Sequence, residues 1–233
     1  MADAVFSVVL VTAAPPGMGV EAGGATTKID GREAVLRTVE LFLNRDNVRQ
    51  VLLVFDPAFI EEAKRKFGAH LGFSGVKLVA GGPKWMDQVG ATADAINPDA
   101  THVILHDAAR PAVPYSDIDN LMTEAARHPA VGLVTPTRSV LVEVDEAGAP
   151  RTYHLPERFM HLLTPQAFAR ETYLGMAHSK VEVGPSQVTL VKGSPLNVRC
   201  GGPGDAQLLK TMLNMLPKPK VKAPDGPFGE AQW

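Results

Sequence analysis

One hexapeptide in this chain has the residue types and spacing for chemistry on phosphate esters. It is His106-Asp107-Ala108-Ala109-Arg110-Pro111, and it follows a short apolar run from Thr101 to Leu105. A carboxylate at the end of such a run suits Mg²⁺, which takes one or two carboxylates and completes its shell with phosphate oxygens and water. Arg110 carries a planar guanidinium that grips a carboxylate or a phosphate through two parallel hydrogen bonds. The two alanines between them would let a ligand come close to the backbone. The plainer reading is a strand end with a surface ion pair. His106 reads as a structural residue that holds a neighbouring backbone group. His102, His128, His154, His161 and His178 show no ligand-like spacing, and the single cysteine, Cys200, reads as a small buried hydrophobe.

The elements that must position this hexapeptide follow from the apolar pattern. Val5 to Val11, Val51 to Phe55, Val76 to Val79, Thr101 to Leu105 and Val131 to Thr135 read as buried strands. Helices are expected over 32–44, 58–70, 85–96 and 115–127, the last with Ser116 as N-cap. A Gly-rich loop fills Thr12 to Thr27. Strand and helix thus alternate five times in the first 135 residues. That rhythm implies right-handed crossovers, a mostly parallel sheet with helices on both faces, and ligands beyond the carboxyl ends of the strands. The Gly-rich loop and His106-Asp107 both fall at that edge. The rhythm then breaks. Ser139 to Asp145 and Arg151 to Leu155 read as a hairpin, a β-arm over about 137–156 that projects from the body. A helix is expected over 167–178, strands over 187–191 and 196–200, and a last helix over 205–216. Residues 1–216 are expected to form one Rossmann-like α/β domain, and the Pro- and Lys-rich tail 217–233 to be disordered.

Composition narrows the function. The chain has 233 residues, 45% of them hydrophobic and 21% charged, which is globular and long enough for a core without disulfides. One cysteine excludes a disulfide framework and a Cys-rich zinc site. A formal charge of -2 gives no basic signature for nucleic acid. No apolar run approaches a membrane span, and Asp3 stands where a signal peptide would carry positive charge, so a cytoplasmic protein is expected.

The hexapeptide resembles the signature of the 2-C-methyl-D-erythritol 4-phosphate cytidylyltransferase family. Other segments match in order: Gly31 to Leu36, the pair Gly81-Gly82, Arg158 followed by Thr164-Pro165-Gln166-Ala167-Phe168, and Asn197-Val198-Arg199. The resemblance spans roughly residues 4 to 216. It implies an Mg²⁺-dependent, homodimeric nucleotidyltransferase that moves CMP from CTP to a sugar-alcohol phosphate and releases pyrophosphate. It further implies that Ala13, Ala14, Gly17, Gly19, Gly81, Gly82, Asp107, Ala108 and Arg110 meet the nucleotide. Asp107 would hold the metal, and Lys28 and Arg199 would stabilise charge. Arg158 and Thr164 would lie on the sugar-phosphate side, and the arm would cross to a second subunit. Thr164 has a second reading, as the N-cap of a helix.

The departures from the family pattern are equally specific. Pro15-Pro16 replaces the loop's first glycine, and proline has no N–H for a phosphate. No arginine precedes Arg32, and Glu21 adds negative charge to the loop. After Gly82 the family has an Arg and then a Ser that contact the nucleotide, and here Trp85 and Gln88 stand nearby. Thr137-Arg138-Ser139 replaces an Asp-Thr pair, Lys180 to Ser186 is a shortened segment, and Arg199 replaces a lysine. Two alternatives follow: a degenerate homologue that acts as a dimeric binding protein, and a nucleotidyltransferase of different acceptor specificity. A dinucleotide-binding Rossmann enzyme is disfavoured, because after Gly17-x-Gly19 the next glycine, Gly23, comes four residues on.

Overall fold

The computed structural model describes residues 4–15 and 24–216. Phe6–Val11 forms β1, with all six residues buried. After the Gly-rich segment comes a small hairpin, β2 (Lys28–Ile29) and β3 (Arg32–Glu33). Its turn residues Asp30 and Gly31 have φ of 52° and 78°, the left-handed pair that two-residue hairpins need. Then follow α1 (Ala34–Leu43), β4 (Val48–Phe55), α2 (Pro57–Phe73), β5 (Val76–Ala80) and α3 (Trp85–Gly90). Helix α2 starts cleanly because the Asp56 carboxylate accepts the Ala58 N–H and Pro57 fills the first turn. The chain continues through β6 (His102–Asp107), α4 (Tyr115–Ala125), β7 (Ala130–Pro136), β8 (Leu141–Val144) and β9 (Pro150–His154). It ends with β10 (Met160–Ala169), α5 (Arg170–Ser179), β11 (Thr189–Lys192) and α6 (Ala206–Met215).

Seven strands form one sheet in the order β11-β7-β10-β6-β1-β4-β5. β1 runs parallel to β4 and β6, β4 to β5, and β7 to β11, while β10 runs antiparallel to both its neighbours. The two faces bury separate cores. Val8 and Leu10 of β1 pack with Phe42, Phe67, Ile118 and Leu209, from α1, α2, α4 and α6. Val9 and Val11 point the other way, onto Trp85 and Val89 of α3 and Tyr173 and Met176 of α5. The chain is therefore an α/β domain with a mostly parallel sheet and helices on both faces. Among the described residues β8 and β9 pair only with each other, inside the span expected for the arm.

Several elements differ from the sequence expectation. The helix expected over 167–178 starts at Arg170, because residues 160–169 form β10. Leu163, Ala167 and Phe168 fill the slot between β6 and β7, so tertiary pairing decides the conformation. Pro165 has no N–H for the ladder, and the register of β10 on β7 skips from Leu163 to Gln166. Thr164 is thus inside a strand and is not an N-cap. Residues 196–200 join no sheet; the Cys200 N–H bonds instead to the Ala109 carbonyl at 2.7 Å. Helix α3 ends at Gly90, and Ala93–Ala95 is a separate 3-10 turn. Helix α4 begins at Tyr115 behind Pro114, with no cap from Ser116. Gly17, Gly19 and the tail 217–233 lie outside the described residues.

Candidate active site

β1 and β6 are adjacent, with Val11 opposite Asp107, so the segments that begin at Thr12 and Ala108 leave the sheet side by side. β5 ends on the same edge and delivers Gly81-Gly82. Ala13, Ala14, Gly81, Gly82, Asp107, Ala108 and Arg110 are thus brought to one edge of one sheet.

Asp107 is fully buried there. Its Oδ1 accepts the Ala109 N–H at 2.9 Å, the local turn that aspartate favours two residues ahead. Its Oδ2 accepts from Arg199 Nε at 2.8 Å, and Arg110 Nε stands 3.6 Å away. Arg110 also donates to the Asn197 carbonyl at 2.9 Å, and Arg199 to the Cys200 carbonyl at 3.2 Å. Burial pushes the Asp107 pKa up and the Arg110 pKa down, while the neighbouring opposite charges pull both back. Two guanidiniums thus stand within 4.0 Å of the one buried carboxyl. Two cations against one carboxylate leave this corner with excess positive charge.

His106 and Thr164 brace the corner from below. A backbone carbonyl can only accept, so the contact of 3.1 Å to the Arg110 carbonyl places the His106 proton on Nε2. Nδ1 then accepts the Thr164 hydroxyl at 3.0 Å, and the Thr164 oxygen accepts the Asp107 N–H at 3.1 Å. Complete burial drives the His106 pKa down to about 3, so the ring is neutral and serves the backbone. Asn197 adds a tie through Nδ2 to the Thr164 carbonyl at 2.7 Å. Thr164, expected to meet a sugar phosphate, is 5% exposed with its hydroxyl engaged on both sides. Its place in the fold is that of a positioning residue.

The two alanines pack inward. Ala108 and Ala109 are fully buried. Their small size admits α1, where the Thr38 hydroxyl donates to the Ala108 carbonyl at 2.9 Å, and the 197–200 segment.

Across β1, Ala13 and Ala14 are half-buried and Gly81 is buried. A Cβ on Gly81 would come within 2.8 Å of Gln88 Cα and Val54 Cγ1, so the chain needs glycine there. Gln88, 1% exposed, accepts the N–H groups of Thr12 at 3.0 Å and Ala13 at 3.1 Å through one side-chain oxygen. Lys28 and Arg158 take no part in the hydrogen bonds and ion pairs described for the Asp107 corner. Lys28 is exposed on β2, 4.0 Å from Glu33, and Arg158 is exposed in the turn Pro156–Arg158 beside the arm.

The expected Mg²⁺ meets a poor donor set. Asp107 has its oxygens committed to the Ala109 N–H and Arg199, and a second guanidinium adjoins it. Among the described residues no group of three or more His, Cys, Asp or Glu gathers to hold a metal ion. As arranged, these residues do not fit the cation.

Sequence reading gave no role to Gln88 or Thr38. Gln88 carries a faint signal, a polar residue on the same helix face as Trp85 and Val89. Thr38 carries none.

The model of the 2-C-methyl-D-erythritol 4-phosphate cytidylyltransferase family matches residues 7–214. A protein of that name from Frankia casuarinae is 28% identical over 215 residues, covering 84% of this chain and 78% of the relative. One from Saccharopolyspora erythraea is 32% identical over 170 residues, covering 70% and 74%. Among solved structures, the 4-diphosphocytidyl-2C-methyl-D-erythritol synthase of Anaerococcus prevotii superposes with a TM-score of 0.73 at 16% identity, covering 91% and 97%. The 2-C-methyl-D-erythritol 4-phosphate cytidylyltransferase of Thermus thermophilus does so with 0.68 at 23% identity, covering 88% and 98%. At those identities the structures share the fold.

Proposed function

Because the chain belongs to the 2-C-methyl-D-erythritol 4-phosphate cytidylyltransferase family, we propose that it transfers the CMP group of CTP to 2-C-methyl-D-erythritol 4-phosphate. An oxygen of the acceptor phosphate forms a bond to the α-phosphorus of CTP. The bond from that phosphorus to the β-phosphate bridging oxygen breaks, and pyrophosphate leaves with the electron pair. Such transfer needs positioning and charge stabilisation rather than a covalent intermediate.

The observation that carries this reading is the positive corner of Asp107, Arg110 and Arg199 at the carboxyl edge of the central strands. There the guanidiniums meet the polyphosphate and stabilise charge that builds on the leaving pyrophosphate. Ala13, Ala14, Gly81 and Gly82 form the adjoining wall for the nucleoside. Lys28 and Arg158 act from mobile-length side chains at the rim, Arg158 on the acceptor.

The protein acts as a homodimer joined through the arm. Val142 and Tyr153 are cross-strand partners on the hairpin, and both are exposed, as are Val144, Leu155 and Met160 nearby. A two-stranded hairpin is marginal alone, and a cluster of apolar side chains in water marks a contact surface. No helix among the described residues is long and apolar enough to cross a membrane, which supports a cytoplasmic place for the reaction.

The test is incubation of purified protein with CTP and the acceptor phosphate, read by ³¹P NMR, with ATP and GTP as controls. The expected result is a diphosphate diester and pyrophosphate in equal amounts, from CTP. A folded protein that yields neither product with any nucleotide would leave the degenerate-homologue reading in its place.

A further inference from the structure

Asp107 stands where a divalent cation would be held, yet its carboxylate is already served. Oδ1 takes the Ala109 N–H at 2.9 Å, and Oδ2 takes Arg199 Nε at 2.8 Å. Arg110 Nε lies 3.6 Å from that same Oδ2, and the carboxylate is fully buried. Arg199 is fixed a second time by the Cys200 carbonyl. Arginine stays charged, and its planar fork holds two partners at once, where a lysine ammonium is a flexible point charge. A dication here would need the carboxylate's lone pairs and room for several waters, and would lie against two cations.

The corner also has unspent capacity. The buried Nε of Arg110 has no hydrogen-bond partner among the described residues. A buried guanidinium N–H with no acceptor closer than the 3.6 Å to Asp107 Oδ2 is costly, so this guanidinium gains from any shift that brings an anionic oxygen within reach.

We propose that the guanidiniums of Arg199 and Arg110 take the place of the divalent cation in this chain, so that the site binds its nucleoside triphosphate without a metal ion. The inference rests on the nucleotide reading above. Two cations on one carboxylate attract the more negative, uncomplexed triphosphate at least as well as its Mg²⁺ complex. Asp107 then acts as the anchor that orients Arg199.

Two titrations of the full chain test this. The first follows Mn²⁺ alone by electron paramagnetic resonance in wild type, Arg199→Ala and the double variant Arg199→Ala with Asp107→Asn. Wild type should leave Mn²⁺ free, Arg199→Ala should gain a site, and the double variant should lose it again. Arg199→Lys serves in place of Arg199→Ala if the alanine variant does not fold. The second is calorimetry of CTP in EDTA and in Mg²⁺, where the wild-type affinities should agree within about threefold. A wild-type Mn²⁺ site abolished by Asp107→Asn would overturn the proposal. So would a loss of about tenfold or more in CTP affinity in EDTA, or no gain of Mn²⁺ on freeing Asp107. If CTP binds in neither buffer, the transfer reading fails, while the Mn²⁺ titration still decides whether Asp107 holds a cation.

Discussion

The side-chain oxygen of Gln88 accepts the backbone N–H of Ala13 at 3.1 Å and that of Thr12 at 3.0 Å. One amide of α3 thereby fixes the direction in which the chain leaves β1 for the Gly-rich segment. Replacing it with an apolar residue of similar length leaves two backbone donors without a partner. Gln88→Met should lower unfolding free energy by about 2 kcal/mol in urea titration. It should also weaken CTP binding, because the loop loses its fixed start. Unchanged CTP affinity in a destabilised variant would confine Gln88 to a structural task.

Gly81 is held by the same residue. Its missing Cβ would meet Gln88 Cα and Val54 Cγ1 at 2.8 Å, and neither atom can swing away. Gly81→Ala should cost about 1–3 kcal/mol of stability by overpacking. Calorimetric unfolding that shows no loss would mean that α3 shifts freely, and then CTP affinity should change instead.

The sequence made the first half of the fold legible because short apolar runs are cut by strong punctuation, as at Asp56-Pro57, Gly81-Gly82-Pro83 and Asn97-Pro98. β10 was not legible. Thr164-Pro165-Gln166 looks like a break, and only the empty slot between β6 and β7 makes it a strand. Residues 196–200 erred the other way: their composition suits a strand, but they cross to Ala109 and Arg110 rather than join a sheet. In the site, Asp107, Arg110 and Arg199 could be grouped through the family resemblance. That Arg199 closes on Asp107 could not, since the pairing spans 92 residues and depends on where the chain returns. Gln88 was opaque for the same reason, because its partners are backbone groups of another element.

The arm gives a prediction about assembly. Tyr153 is 70% exposed and Leu155 64%, on a hairpin that pairs with no other strand. Placing Asp at both positions would put charge into the contact between copies. Light scattering after size exclusion should report a dimer for wild type and a monomer for the double variant, with far-UV circular dichroism unchanged. A wild-type monomer at micromolar concentration would overturn the arm-mediated dimer.

Thr164 joins β10 to the end of β6, since its hydroxyl serves both His106 and the Asp107 N–H. Thr164→Val keeps the shape and removes both bonds. It should cost about 1–3 kcal/mol, with Thr164→Ser restoring most of the loss. A positioning residue should depress kcat through the displaced Asp107 corner while KM for the acceptor changes less. A rise in acceptor KM alone, in a variant of full stability, would instead mark Thr164 as a substrate contact.

His106 supplies a pH dependence whose sign follows from its burial. Its pKa falls from 6.5 in the unfolded chain to about 3 in the folded one. Between those values the unfolded state binds a proton that the folded state refuses. Its contribution to stability is therefore complete above pH 6.5 and is lost as pH falls toward 3, at up to about 1.4 kcal/mol per pH unit. Asp107, whose pKa burial raises, acts in the opposite sense at the acid end, so wild type alone would blend the two. The comparison with His106→Gln isolates the histidine. Glutamine does not titrate, and it can still donate toward the Arg110 carbonyl. The variant should be less stable near neutrality, where the ring's edge contact with Phe42 is lost. That gap should shrink steadily as urea titrations are moved from about pH 7 to about pH 4. A gap that stays constant over this range would mean that the folded protein admits the proton, and the neutral bridge between Thr164 and Arg110 would have to be abandoned.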